Sequence, residues 1–236
     1  MKELIFIMLI FFTHSLSAAT PFENSFTLRG GLSFNLIEME TDRLIDNHES
    51  DPGELEDETK TIGYGFVTNV GYRFSDWEFT MNSDVTFGLI KDMTFIYEQN
   101  SIRGKGFFRL ISIGPQIKYY TPYTLSKYAN IYIGAGPAWS LQTFVFRDPT
   151  TTGNFNDKKR ISFESYGGGL FIGLEEIVPG KENHPLFLEV GYSYMHSYKV
   201  SILDASSTTD VVTLSEGDSN DFSAHYIIIR AGMTFF

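Results

Sequence analysis

Alternation with a period of two residues governs almost all of this sequence beyond its first two dozen positions. From Ser25 to Glu38 the even positions read Phe26, Leu28, Gly30, Leu32, Phe34 and Leu36, and the odd ones Thr27, Arg29, Gly31, Ser33 and Asn35. Successive side chains of an extended strand point to opposite faces, so one face here is apolar and the other small or polar. Thr61 to Phe74 repeats the pattern, with Ile62, Tyr64, Phe66, Val70 and Tyr72 opposed to Gly63, Gly65, Asn69, Gly71 and Arg73. Across Ser75-Asp76 the phase swaps, and Trp77, Phe79, Met81, Val85, Phe87 and Leu89 oppose Glu78, Thr80, Asn82, Asp84 and Thr86. A two-residue hairpin turn produces such a swap. Five further segments alternate: about Phe107 to Tyr119, Ala129 to Phe144, Ile161 to Ile177, Leu186 to Ile202, and Ile227 to Phe235. In the seventh strand, Tyr198 and Val200 continue the apolar phase and Ser197 and Lys199 the polar one.

Eight strands with connections that alternate long and short imply an all-β, eight-stranded antiparallel up-and-down barrel. The long connections are Met39 to Lys60, Lys91 to Gly106, Arg147 to Arg160 and Asp204 to Asp221; the short ones are Ser75-Asp76, Tyr120 to Tyr128 and Pro179 to Pro185. Met93, Phe95 and Tyr97 extend the apolar phase of the third strand, which makes the third connection a protruding hairpin with its turn near Asn100. Residues 1–19 differ from the rest: Lys2, an apolar run from Leu4 to Phe12, then Ser17-Ala18-Ala19, the pattern of a secretory signal peptide cleaved after Ala19. Residues 20–236 then form one barrel domain. No segment of it approaches the ~18 consecutive apolar residues of a membrane-crossing helix, which leaves a closed barrel as the means of spanning a bilayer. The absence of cysteine excludes disulfides and a lipid-modified cysteine, and a net charge of -11 argues against a nucleic-acid partner.

Strand period alone does not say which face meets solvent, because a soluble barrel turns its apolar phase inward. Here the polar phase mixes glycines with Arg29, Glu78, Asp84, Lys118, Glu189 and Arg230, a composition suited to a narrow lumen. Their phases aim all six inward, with Arg29 and Arg230 expected at similar depth, and both signs are expected to pair into a network that plugs the barrel. The apolar phase gathers aromatic residues toward strand ends, as at the two interfaces of a bilayer. Trp77, Phe79, Tyr72, Phe74, Tyr119 and Phe235 form one girdle, and Phe34, Tyr64, Phe66, Phe87, Trp139, Tyr194 and Tyr198 the other.

With the run Gly167-Gly168-Gly169-Leu170-Phe171-Ile172-Gly173-Leu174-Glu175, then Leu188-Glu189-Val190-Gly191-Tyr192-Ser193-Tyr194, and a last strand ending at Phe236, the chain resembles the outer-membrane β-barrel superfamily. That superfamily includes the OmpA transmembrane domain, OmpX and the opacity proteins. One departure is that the outward series ends at Phe235, leaving the terminal Phe236 out of step. The resemblance implies a transmembrane barrel in the bacterial outer membrane with periplasmic termini, surrounded by outer-membrane lipid and lipopolysaccharide. It also implies periplasmic chaperones and the barrel-insertion machinery as partners during biogenesis.

No catalytic, cofactor or metal constellation emerges from the residues. His196 and Ser197 are adjacent, which in a strand sends them to opposite faces, unlike the converging His and Ser of an outer-leaflet lipid A-modifying enzyme. His48, His184 and His225 lack metal-ligand spacing. The first long connection concentrates Glu40, Asp42, Asp46, Glu49, Asp51, Glu54, Glu56, Asp57 and Glu58 against Arg43 and Lys60. That density reads as a solvated outer loop, or as carboxylates that bridge through a divalent cation to lipopolysaccharide phosphates. The leading expectation is a small non-enzymatic barrel with a plugged lumen and a structural or surface-interaction role through its outer loops, with no cofactor. A small-solute channel and a lipid A-modifying enzyme are the alternatives.

Overall fold

A computed structural model describes residues 24–41, 54–56, 61–97, 100–126, 129–176, 184–204, 211–214 and 222–235. Residues 1–19, with Ala19, and Asp42, Asp46, Glu49, Asp51, Asp57 and Glu58 of the acidic segment lie outside them, as do His48 and Phe236. Glu40, Glu54 and Glu56 sit in strands.

Eight long strands make the wall: β1 (Ser25–Thr41), β3 (Thr61–Phe74), β4 (Trp77–Tyr97), β5 (Asn100–Ser126), β6 (Ala129–Thr151), β7 (Lys158–Glu176), β8 (Leu186–Asp204) and β10 (Phe222–Phe235). Each pairs antiparallel with its neighbours, and β10 pairs with both β8 and β1, closing the ring. The fold expected from alternation is the fold observed. Two short strands are added near the long connections: β2 (Glu54–Glu56) pairs with Thr94 to Ile96 of β4, and β9 (Val211–Thr213) pairs with Ser201 to Leu203 of β8.

The two ends of the barrel differ. At the turn end, Phe74 pairs with Trp77 around Ser75-Asp76, Ser75 takes a left-handed φ of 52°, and β1 begins beside the end of β10. At the loop end the strands run on well past the apolar belt, so the connection from Lys91 to Gly106 is a continuous hairpin in which Tyr97 pairs with Asn100. Between β6 and β7 a 3-10 turn, Gly153–Phe155, replaces most of the expected loop and buries Phe155.

Outward residues form a wide apolar belt, from Leu89 (77% exposed), Leu170 and Tyr64 to Phe74, Phe79 and Phe235. An exposed apolar surface of this extent on every strand is the lipid face of a transmembrane barrel. Two β-bulges change the expected phase above it. Between Ile90 and Met93 the pairing of β4 with β5 slips, and Met93 and Phe95 turn inward and are buried, correcting their expected outward direction. At Tyr198, Glu164 pairs with Lys199 but Ser165 with Ser197, leaving Tyr198 as an extra residue. Val200 and Ile202 therefore point into the barrel and Lys199 points out, the reverse of the sequence reading.

Candidate functional site

The lumen is the one region where charged side chains converge in numbers among the described residues. In its turn-end half four cations, Arg29, Arg73, Lys118 and Arg230, face four carboxylates, Glu78, Asp84, Glu175 and Glu189, all buried. Strand phase brings them there: every one lies on the inward parity of its strand, opposite the lipid-facing residues that flank it.

Two knots make up the cluster. In the lower knot Arg29 forms a forked pair with Glu78, Nη1 to Oε1 at 2.6 Å and Nη2 to Oε2 at 2.8 Å. Its Nη2 also donates to Glu175 Oε1 at 2.9 Å, and its Nε to Thr234 Oγ1 at 3.1 Å. Arg73 Nη2 donates to Glu175 Oε2 at 2.5 Å, while Thr27 Oγ1 and Tyr120 Oη donate to Glu78 at 2.6 and 2.8 Å. In the upper knot Arg230 Nη1 donates to Glu189 Oε1 at 2.6 Å and Nε to Asp84 Oδ2 at 3.2 Å. Lys118 Nζ donates to Glu189 Oε2 at 2.9 Å, and Ser33 and Thr86 hydroxyls each donate to Asp84 Oδ1 at 2.9 Å.

Two tyrosines join the knots. The Tyr120 and Tyr132 rings lie 5.3 Å apart; the Arg73 guanidinium sits 3.5 Å over the first and Lys118 Nζ 4.9 Å over the second. Gly173 is the cross-strand neighbour of Tyr132, and a Cβ there would run into the tyrosine ring. The glycines of the inward phase thus make room for the side chains that fill the lumen.

All six charged residues expected in the lumen face it, and the structure brings them into contact as Arg29 with Glu78, Lys118 with Glu189, and Arg230 with both Asp84 and Glu189. The equal depth expected for Arg29 and Arg230 is not found: Arg29 pairs across the strands with Thr234, and Arg230 with Ser33, four positions higher. They belong to different knots because barrel strands are staggered, a shear that phase alone does not reveal. Two charged members were missed. Arg73 was already on the inward parity, and Glu175 continues the inward series Gly167, Gly169, Phe171, Gly173, so a longer reading of that phase finds it. Tyr120 falls in the short connection that alternation leaves from Tyr120 to Tyr128, and the structure extends β5 through it.

Above the ions the lumen turns apolar. Phe163 lies 5.8 Å from Phe144, 6.2 Å from Phe95 and 5.5 Å from Phe222, ring centre to ring centre, with Ile37, Phe108, Val200 and Ile202 around them. Between the two fillings is a cavity of about 20 Å³ lined by Asn82, Asp84, Gln116 and Arg230 together with Phe171 and Tyr226. That is room for about one water, and Asn82 Oδ1 and Gln116 Oε1 are buried there without a protein partner. A larger cavity of about 960 Å³ opens on the flank between β3 and β4, lined by outward Ile62, Tyr64, Phe87, Leu89 and Phe107 and by inward Met39, Met93 and Phe144.

His196 and Ser197 do not converge. The His196 ring packs on Tyr166 outside at 5.8 Å, while Ser197 Oγ is buried 2.9 Å from Ser165 Oγ inside. No cluster of three or more metal-ligating side chains occurs among the described residues.

No protein-family model matches this chain, and no curated protein matches it. Among solved structures it is similar to the outer membrane protein OprG from Pseudomonas aeruginosa, at 14% identity over 90% of this chain and 95% of that one, with a TM-score of 0.50. Neisserial surface protein A aligns at 18% identity over 89% and 96% of the two chains, TM-score 0.45. Ail, the attachment invasion locus protein of Yersinia pestis, solved in complex with the heparin analogue sucrose octasulfate, aligns at 13% identity over 91% and 100%, TM-score 0.42. The likeness is one of fold: this chain has the fold of the outer-membrane β-barrels.

Proposed function

We propose that this chain is a non-enzymatic outer-membrane protein whose lumen is closed to solutes, and which acts through its outer rim as a structural or surface-interaction barrel. The observation that carries the reading is the charge-balanced pair of knots across the turn-end half of the lumen, sealed above by the phenylalanine-rich filling. Barrels of eight strands have interiors about wide enough for side chains to fill, and open aqueous channels belong to larger ones. The Ser75-Asp76 turn, the start of β1 and the end of β10 share one end, which is periplasmic in barrels of even strand number, so the long connections face outward. On that topology the acidic residues from Glu40 to Glu58 lie at the cell surface. The separation of His196 from Ser197 supports the non-enzymatic part. The test is planar-bilayer recording on the refolded protein: the closed lumen gives no steady conductance, and a well-defined open level supports the channel alternative instead. Whole-cell protease treatment tests orientation, with cleavage expected between Glu40 and Glu58 and not at Ser75-Asp76.

A further inference from the structure

The wall of the barrel is broken at a rung between β5 and β6. Pairing of the two strands stops at Ile113↔Trp139 and resumes, in the same register, at Ile117↔Ala135. Pro115 and Pro137 face each other in the gap. Gly114, Pro115 and Gln116 keep their partners on β4, and Gly136, Pro137 and Ala138 keep theirs on β7. Opposed residues of an antiparallel ladder alternate between pairs that exchange two hydrogen bonds and pairs that exchange none. Proline has no backbone N–H, so two prolines in a bonded pair delete both bonds, and the pairs on either side are lost with them. Were the pair of the other kind, the missing donors would face β4 and β7, where pairing is intact. The carbonyl oxygens of Pro115 and Pro137 are therefore left without a donor on the opposite strand. Both rings lie on the exposed, lipid-facing side, and lipid offers no donor either.

The lumen side of the gap is open. A Cβ on Gly114 would run into the carbonyl oxygen of Pro137, and one on Gly136 into that of Pro115. Both glycines, with Gln116 and Ala138, line the cavity of about 20 Å³ between the two fillings. A second observation comes from the other side of that cavity. Asn82 and Gln116, 3% and 6% exposed, line it with side-chain oxygens that have no partner. Four acceptor oxygens without a donor thus border a space the size of one water. Dry cavities are apolar, and polar ones of this size hold water. A metal cation would also satisfy the oxygens, but the lumen already balances four cations against four carboxylates, and one more buried charge would lack a partner. We propose that a single structural water takes the place of the missing rung. It directs one hydrogen at the proline carbonyls and the other at the amide oxygens of Asn82 and Gln116, so the seam is closed through water instead of through its own backbone.

The test uses protein with protonated alanine methyls in a deuterated background, refolded in deuterated detergent, and reads magnetisation transfer from water to those methyls. Ala138 lines the cavity, Ala224 is buried in the apolar half, and Ala135 faces lipid. A held water gives transfer to Ala138, of opposite sign in the laboratory and rotating frames, and none to Ala224 or Ala135. No transfer to Ala138, or equal transfer to Ala138 and Ala224, overturns the proposal. The double variant Pro115→Ala, Pro137→Ala supplies both missing N–H groups. Its two new amides become protected from exchange, and the Ala138 signal is lost. Survival of that signal in the folded variant means that the water does not stand in for the rung, and overturns the proposal too. Exchanging sodium for choline leaves the wild-type signal unchanged; loss of it identifies a cation site instead. Heat-modifiable gel mobility checks folding, and should the variant not fold, the comparison of the three wild-type methyls decides alone. Closure of the lumen is read by planar-bilayer conductance and the water by Ala138 against Ala224, so the two readings fail separately.

Discussion

The turn-end half of the lumen is filled by eight ionised side chains, the loop-end half by rings and branched aliphatics. The wall around them is the same sheet. In the lower half each group has assigned partners: Arg29 serves Glu78, Glu175, Tyr120 and Thr234 at once. In the upper half Phe163 touches three other rings at 5.5 to 6.2 Å with no directional requirement. The ionic filling depends on every member, because an unpaired buried charge costs more than the pair contributes. The apolar filling depends mainly on volume. The same barrel therefore has one half that tolerates substitution and one that does not, and the intolerant half is the one enclosed by the membrane.

The most severe way to break the comparison is to mix the two fillings. Val200→Lys places an ammonium at a fully buried site beside Phe163 and Ile202 in the apolar half. We expect a loss on the order of 5 kcal/mol, seen as the disappearance of heat-modifiable mobility or a large fall in the urea midpoint in micelles. Retention of a wild-type midpoint would mean that the upper filling is not dry. Deleting Tyr198, by contrast, removes the bulge in β8 but leaves Ser197 opposite Ser165 and Lys199 opposite Glu164, so the facings beyond it should be kept and the midpoint should move far less.

That bulge also marks where the sequence stops being legible. Below Ile90 on β4 and below Tyr198 on β8, strict alternation gives the facing of each residue, because one face meets lipid and the other a lumen of charges and glycines. Above those points the outside becomes polar and the inside apolar. A strand there carries apolar residues on the opposite parity, and a reading that extends the lower phase places Met93, Phe95 and Val200 on the wrong side. Nothing at Lys91-Asp92 or Tyr198 announces the extra residue. Register was equally hidden: phase showed that Arg29 and Arg230 both face inward, but the stagger that places them in separate knots is a property of the closed ring.

Smaller effects sharpen the comparison. Arg29→Ala leaves Glu78 and Glu175 short of a cation and should cost about 3–5 kcal/mol, and even Arg29→Lys should lose about 1.5–3 kcal/mol because an ammonium cannot reproduce the fork. Phe163→Ala empties a site among rings at about 3–5 kcal/mol, whereas Phe163→Leu should cost less than about 1.5 kcal/mol. Chemical unfolding of the four variants in one detergent reads the contrast directly. If the conservative change is as mild in the ionic half as in the apolar one, the two fillings do not differ in the way argued.

The smallest effect isolates burial from geometry. Lys118 and Lys199 each hold a glutamate, at 2.9 Å to Glu189 and 2.6 Å to Glu164, so distance alone would rank the second pair stronger. Lys118 and Glu189 are each 1% exposed, while Lys199 is 46% exposed at the outer rim. Hydrogen bonding to Glu164 raises the Lys199 ammonium above its usual range, but water and salt screen the pair. Lys118→Gln removes a charge that Glu189 needs in a dry lumen and should cost about 3–5 kcal/mol. Lys199→Gln should cost less than about 1 kcal/mol, and that small loss should vanish in 1 M salt, where the Debye length is about 3 Å. Unfolding both variants at low and high salt separates the cases. A salt-sensitive Lys118, or a costly Lys199, would mean that water reaches the ionic knots, and the barrel would then have no dry half to compare.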